Sequence, residues 1–324
     1  MKDSVSSQSR AHAALSGEDL RGVFLPITTP FDSTGAIDLA ALSSNLAKWN
    51  QTSINGFVLL GSTGERVNLD EREYLEVITA ARENAAEALT FIAGAGQQST
   101  RGTIDEIKRV AATVSVDAFL VITPYFYRPN ITQDALVAHY QAVADSSPAP
   151  VILYSMPALT GVRIESETAA RLSEHENIIG IKDSSNDVAA LAETIKLVTK
   201  DFAVLTGNGT VLREALAAGA CGGILAVGCI ASDLCVEIYR AVKAGEDERA
   251  SKLQSALTPL AQAVTTRFGI GGLKAALDLE GYAGGYVRAP LREPDSEACA
   301  EIARCLETAK TQVRRLQPSE IATV

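Results

Sequence analysis

One of the ten lysines in this 324-residue chain stands apart from the rest. Lys182 follows the apolar run Ile178-Ile179-Gly180-Ile181 and so closes a strand. The other nine fall on segments of helical periodicity, at their ends, or in the N-terminal stretch, where a solvated ammonium is the default. A lysine at the end of a buried strand is largely desolvated, which favours the neutral amine. A neutral amine is a nucleophile and condenses with a ketone to a Schiff base. The alternative is a buried lysine paired with a nearby carboxylate, for which Asp183, on the opposite face of a strand, is a poor partner. Tyr154 closes the preceding apolar run. Neighbouring parallel strands lie about 4.8 Å apart, so that phenol reaches the lysine and can relay protons to an imine. It can equally serve as a plug. Gly61-Ser62-Thr63-Gly64-Glu65 follows another run. Exposed backbone N–H groups with two hydroxyls make a small anion cradle, or an ordinary strand-to-helix turn.

These residues need a scaffold that brings several strand ends to one place. Eight apolar runs rich in Val, Ile and Leu recur along the chain: 22–27, 56–60, 90–93, 117–122, 150–154, 178–182, 202–205 and 222–227. They are continuous rather than alternating, as in parallel strands buried on both faces. Between them lie helical segments at 40–49, 70–87, 103–114, 133–144, 166–173, 187–199 and 211–218. Strand starts recur at about the spacing of one βα unit. Eight such units predict a (β/α)8 TIM barrel over residues 20–230. Helical segments at 231–244, 246–264, 271–279 and 296–313 predict a C-terminal helical extension over 231–315. Residues 1–19 read as a loose lead-in and 316–324 as a tail. No GxGxxG follows the first strand, which disfavours an open dinucleotide-binding sheet. In a barrel the strand C-termini carry the active site, so Lys182, Tyr154 and the 61–65 loop converge on one rim.

The composition narrows the class of function. Lys and Arg number 29 and Asp and Glu 39, a net charge of −10. That balance argues against nucleic acid or an anionic membrane as partner. No apolar stretch is long enough to span a bilayer, and the N-terminus lacks the apolar core of a secretory signal. The acids Glu18 and Asp19 weaken a mitochondrial targeting reading, so the expected location is the cytoplasm. Five cysteines without a CxxC pair read as buried reduced thiols. Three dispersed histidines offer no metal-ligand spacing, and no cofactor is expected.

Four motifs, in order and at matching spacing, resemble the dihydrodipicolinate synthase / N-acetylneuraminate lyase family of pyruvate-handling class I lyases. They are Gly61–Glu65, Thr123-Pro124-Tyr125, Tyr154-Ser155-Met156-Pro157 with Thr160-Gly161, and Gly180-Ile181-Lys182-Asp183. The resemblance covers roughly residues 20–300. It implies a metal-free carbon–carbon lyase, a Schiff base from Lys182 to pyruvate or another 2-keto acid, and proton relay by Tyr154. It gives the substrate carboxylate to Ser62 and Thr63 and turns the backbone carbonyl of Ile224 toward the site. It also implies a homotetramer built as a dimer of dimers. Two positions depart from the synthases. Leu159 stands where they carry an arginine for the second substrate's carboxylate. Phe126 stands where a tyrosine from the neighbouring subunit completes the relay; either Tyr125 or Tyr127 substitutes by a register change, or the relay is absent.

Within the family, Ser147–Ser155, Lys182-Asp183-Ser184, the 266–270 segment, 281–285 and 288–291 most resemble the 4-hydroxy-2-oxoglutarate aldolases. Ser184, two residues past the lysine, then faces the same pocket and hydrogen-bonds the substrate's hydroxyl or aldehyde oxygen. The favoured expectation is cleavage of 4-hydroxy-2-oxoglutarate to pyruvate and glyoxylate. The alternatives are dihydrodipicolinate synthase and a 2-keto-3-deoxy sugar-acid aldolase or dehydratase. A phosphate-binding barrel isomerase using Gly207-Asn208-Gly209 and Gly222-Gly223 is a reading of another class, but leaves Lys182 and Tyr154 unexplained. A non-catalytic binder has only Phe126 in its favour.

Overall fold

The computed structural model describes residues 15–316. Of the expected lead-in over 1–19 and tail over 316–324, residues 1–14 and 317–324 lie outside the described residues; Gly17–Leu20 form a 3-10 turn whose Leu20 is buried in the barrel's interior cluster, so that end of the lead-in is not loose. Eight parallel strands close into a barrel in chain order: β1 (Gly22–Pro26), β2 (Gly56–Leu59), β3 (Thr90–Ala95), β4 (Ala118–Ile122), β5 (Val151–Ser155), β6 (Ile178–Asp183), β7 (Ala203–Thr206) and β8 (Gly222–Ile224). Strand β8 pairs with β1, with Phe24 opposite Ile224. Each strand is buried along nearly its whole length, which explains the continuous apolar runs: one face meets the barrel interior and the other the helices.

Helices α1 (Leu39–Trp49), α2 (Glu71–Asn84), α3 (Thr100–Thr113), α4 (Gln133–Ser146), α5 (Pro157–Thr160), α6 (Ser166–Ser173), α7 (Val188–Leu197) and α8 (Leu212–Ala217) lie between successive strands. Local chemistry sets several starts. Asp38, Ser99, Thr132 and Asp187 each accept a backbone N–H at the head of α1, α3, α4 and α7. Asp70 and Glu73 form a reciprocal capping box on α2. Helix α5 is a single turn that the apolar patterning did not reveal. It begins at Pro157 and ends at Gly161, whose φ is +68°.

The eighth apolar run extends to Val227, but the strand stops at Ile224. Gly228 N–H already donates to Leu225 and Cys229 N–H to Ala226, so the end of the run is a helical turn. Helix α9 (Gly228–Lys243) follows, kinked at Ala231, and packs against β1. It completes the outer ring, so the boundary we propose between barrel and extension lies past Lys243 rather than at residue 230. The extension holds α10 (Asp247–Ala261), a π-helical turn (Gln262–Arg267), α11 (Gly269–Leu279) and α12 (Ser296–Leu316). Among the described residues no helix is long and apolar enough to cross a membrane.

The core has two shells. The larger lies between strands and helices and includes Trp49, Phe57, Phe91, Phe119 and Tyr140. The smaller fills the barrel with Phe24, Val58, Ile92, Leu120, Ile152, Leu205 and Ile224 and is topped by Tyr154. Burying one such side chain contributes about 1.5–3 kcal/mol, so the shells together can carry an occasional buried charge.

Candidate active site

The sequence of β6 would by itself leave the facing of Lys182 open. Val151 pairs with Ile178, but Ile152 pairs with Gly180, so one extra residue bulges from β6. From there the register runs Leu153 to Ile181 and Tyr154 to Lys182. Without the bulge Ile181 would stand opposite Tyr154, since a one-residue slip exchanges the two faces of a strand. Ile181 instead packs in the outer shell, and Lys182 shares the barrel interior with Tyr154.

Lys182 is 5% exposed, and its Nζ lies 4.3 Å from the centroid of the Tyr154 ring. Among the described residues no carboxylate is ion-paired to it, so the structural alternative of a lysine–carboxylate pair is not what the fold builds here. Asp183 turns away, its Oδ1 accepting from Ser185 N–H at 2.7 Å. The Tyr154 hydroxyl reaches the other side of the rim, 3.4 Å from Ser62 Oγ. Lysine, phenol and the first hydroxyl of the 61–65 loop thus form a row across three strand ends.

Ser184 belongs to the same place. A Cβ on Gly207 would stand 1.8 Å from Ser184 Oγ and 2.8 Å from Lys182 Cε. Both side chains therefore converge over the bare backbone of Gly207, and only glycine leaves room for them. In the sequence Gly207 stands out only within Gly207-Asn208-Gly209, the phosphate loop of the isomerase alternative. Its role is steric clearance for the lysine. Ile224 ends β8 with its side chain in the interior cluster below.

Above Tyr154 opens a cavity of about 540 Å³ lined by Gly61, Ser62, Gln97, Gln98, Tyr125, Leu159 and Pro290, among others. Tyr125 lines it, whereas Tyr127 is 67% exposed, packs edge-on against the exposed Phe126, and does not. Of the two proposed substitutes for the missing tyrosine, Tyr125 is the one placed by the cavity. Gln98 fixes that turn, its Oε1 accepting from Tyr125 N–H at 3.0 Å and Phe126 N–H at 2.8 Å. No local pattern marked Gln98, because its partners lie on the next strand's loop.

Leu159 lines the cavity wall and is 65% exposed. Arg66 also lines it, but is ion-paired to the buried Glu106. Arg128 lies across the end of α5, where a Cβ on Gly161 would be 3.0 Å from its Nη1. The cysteines stand apart from this chemistry. All five are free, Cys229 and Cys235 are buried, and Cys221, Cys299 and Cys305 are only partly so. Burial pushes the Cys235 thiol up to about 12.

The expectation of nine solvated lysines fails at one position. Lys274 on α11 is wholly buried, with Nζ 2.7 Å from Oε1 of the equally buried Glu65. A helical position suggested exposure, but this face of α11 packs beneath the 61–65 loop.

Comparison with known proteins shows the family and the fold. The pattern of the dihydrodipicolinate synthetase family matches residues 19–309. The 4-hydroxy-tetrahydrodipicolinate synthase of Methanosphaerula palustris is 35% identical over 291 residues, covering 89% of this chain and 98% of that one. The structure of a dihydrodipicolinate synthase from Bacillus anthracis superposes with a TM-score of 0.84 at 30% identity, over 89% of this chain and 97% of the other. A dihydrodipicolinate synthase variant described as monomeric gives a TM-score of 0.85 at 29% identity, over 90% and 98% of the two chains.

Proposed function

The chain belongs to the dihydrodipicolinate synthetase family, a family of class I aldolase-type lyases, and from that premise we propose that Lys182 forms a Schiff base with a pyruvate-type 2-keto acid. The observation that carries the reading is the in-register pair Tyr154 and Lys182, with the buried amine against the phenol ring. The amine nitrogen adds to the substrate's C2 carbonyl and water leaves. Ser62 and Thr63 hold the C1 carboxylate through hydroxyls and loop N–H groups. Tyr154 relays the protons of imine formation and of the later steps. Ser184 hydrogen-bonds the oxygen on the fragment being joined or released, and the Ile224 carbonyl faces the substrate from β8.

For the substrate, two readings each have support. The motif resemblance to the 4-hydroxy-2-oxoglutarate aldolases, with the departure from the synthases at Leu159, favours cleavage of 4-hydroxy-2-oxoglutarate. The C4 hydroxyl loses its proton, the C3–C4 bond breaks, and its electrons pass into the imine. Glyoxylate leaves, and protonation of the enamine at C3 followed by hydrolysis releases pyruvate. An apolar side chain cannot replace a bidentate arginine–carboxylate contact, and the cavity's own Arg66 is already paired, so Leu159 counts against the synthases' way of holding the second carboxylate; the C5 carboxylate of 4-hydroxy-2-oxoglutarate needs another partner as well. The names of the relatives favour the other reading, condensation of pyruvate with aspartate semialdehyde, and support it better than they support cleavage. Arg128, which lies against Gly161 at the end of α5, is the cation that would serve it. A 2-keto-3-deoxy sugar acid fits the same chemistry with no second carboxylate to hold.

Borohydride with pyruvate tests the common step: it should inactivate the protein and leave one reduced adduct, on Lys182. An adduct elsewhere, or none, overturns the covalent mechanism. The ratio of kcat/KM for cleavage of 4-hydroxy-2-oxoglutarate to that for aspartate semialdehyde condensation decides the substrate. We expect the ratio to exceed one; a clear preference for the semialdehyde assigns Arg128 its carboxylate.

A further inference from the structure

The loop that carries Ser62 and Thr63 is bracketed by two strained residues. Leu60 has φ +56° and Glu65 φ +53°, both in the left-handed region that non-glycine residues avoid. Such backbone persists only where the surroundings over-determine it. Here the surroundings come from the far end of the chain. Lys274 Nζ contacts Glu65 Oε1 at 2.7 Å and donates to the carbonyls of Thr29 at 2.8 Å and Tyr286 at 2.5 Å. Glu65 Oε2 accepts from Arg288 N–H at 3.0 Å and from Asn68 Nδ2 at 3.2 Å. Thr29 Oγ1 closes the ring by donating to the Gly64 carbonyl at 2.7 Å.

Neither Lys274 nor Glu65 has any exposed side-chain surface. Burial pushes the lysine down, opposed by the glutamate's charge. A buried ion pair is a weak device for stability, since apolar residues of similar volume often do as well. What this pair supplies is direction: it fixes one end of the loop whose Ser62 Oγ lies 3.4 Å from the Tyr154 hydroxyl.

Building on the lyase reading above, we propose that Lys274 and Glu65 are a positioning pair that holds the Ser62–Thr63 loop in the one conformation that receives the carboxylate of the 2-keto acid. Neither residue touches substrate. Their effect passes through the loop to the carboxylate and leaves the amine of Lys182 untouched.

The test is the double variant Lys274→Met/Glu65→Met, which removes both charges and keeps apolar bulk. It should melt near the wild-type temperature, yet raise KM for the 2-keto acid roughly 10–100-fold, the size of one or two hydrogen bonds to a carboxylate. kcat should change less. Borohydride trapping supplies a second readout. Trapping of pyruvate at Lys182 should weaken by the same factor, while trapping of acetone, which has no carboxylate, stays at the wild-type level. If the double variant does not fold, Lys274→Met/Glu65→Gln, which also removes both charges but keeps an acceptor for the Arg288 N–H, is read in the same two assays. A folded variant with unchanged KM and an unchanged pyruvate-to-acetone trapping ratio overturns the proposal. Equal loss with both ketones also overturns it, because it indicates general damage to the barrel top. Failure of the wild type to trap pyruvate at all would instead overturn the lyase reading itself.

Discussion

At the scale of single residues, the site is a set of close approaches rather than a set of unusual side chains. Lys182→Ala should abolish turnover while leaving the circular dichroism spectrum and melting temperature unchanged, since the amine makes no ion pair among the described residues. Tyr154→Phe keeps the ring beside the amine and removes only the hydroxyl. It should cut the rate about 10²–10⁴-fold, the usual worth of a general acid–base group. Near-normal activity would move the relay to Tyr125. Gly207 is the less obvious test. In Gly207→Ala the new methyl overlaps Ser184 Oγ and crowds Lys182 Cε, so one of them must leave its position. We expect slower imine formation, measured by borohydride trapping rate, with the fold retained. A trapping rate equal to wild type would mean that Ser184 alone moves and that it has no part in the first step.

At the scale of elements, the C-terminal extension is tied back to the barrel through α2. Arg288 donates to both oxygens of Glu73, at 2.7 and 2.8 Å, and its N–H to Glu65. The Arg288 guanidinium holds the Glu73 carboxyl below its usual 4.5. The unfolded chain therefore binds a proton at Glu73 more readily than the folded chain does. The pair's contribution is fully present above the unfolded value and is lost as pH falls toward the lowered folded one. Between about pH 5.5 and pH 3.5 the wild type should lose melting temperature more steeply than Glu73→Gln, which has nothing there to titrate. Parallel slopes in a thermal scan would show that Glu73 carries no such linkage. The variant should also be less stable at neutral pH, where the charged pair is intact in the wild type.

At the scale of the whole molecule, apolar side chains gather around the mouth of the site. Val67, Phe126, Tyr127, Leu159 and Leu291 are all well exposed in the single chain. The resemblance of the sequence implies a homotetramer, and these residues are where we expect a second copy to cover the rim. Sedimentation should give a particle of four chains, and Phe126→Ser with Tyr127→Ser should shift it to smaller species. A monomer at micromolar concentration would place this chain with the monomeric variant among its structural relatives.

The sequence alone determined the strands, their order and the placing of Tyr154 and Lys182 at the ends of neighbouring strands. These features depend on local patterning: a strand buried on both faces needs an unbroken apolar run, and consecutive βα units place consecutive strands side by side. It also placed Ser62, Thr63 and Ser184 at strand ends, where a barrel gathers its chemistry. Tertiary structure decided what no short window contains. The bulge in β6 turns Lys182 inward, and it arises from matching β6 to β5 rather than from the residues Ile178-Ile179-Gly180. Gly207 matters because the side chains of β6 cross it. Lys274 looked like any helical lysine until α11 packed its charge against Glu65, more than two hundred residues earlier in the chain. Patterning reports which residues are buried on average; which buried groups meet depends on the closing of the barrel and the docking of the extension upon it.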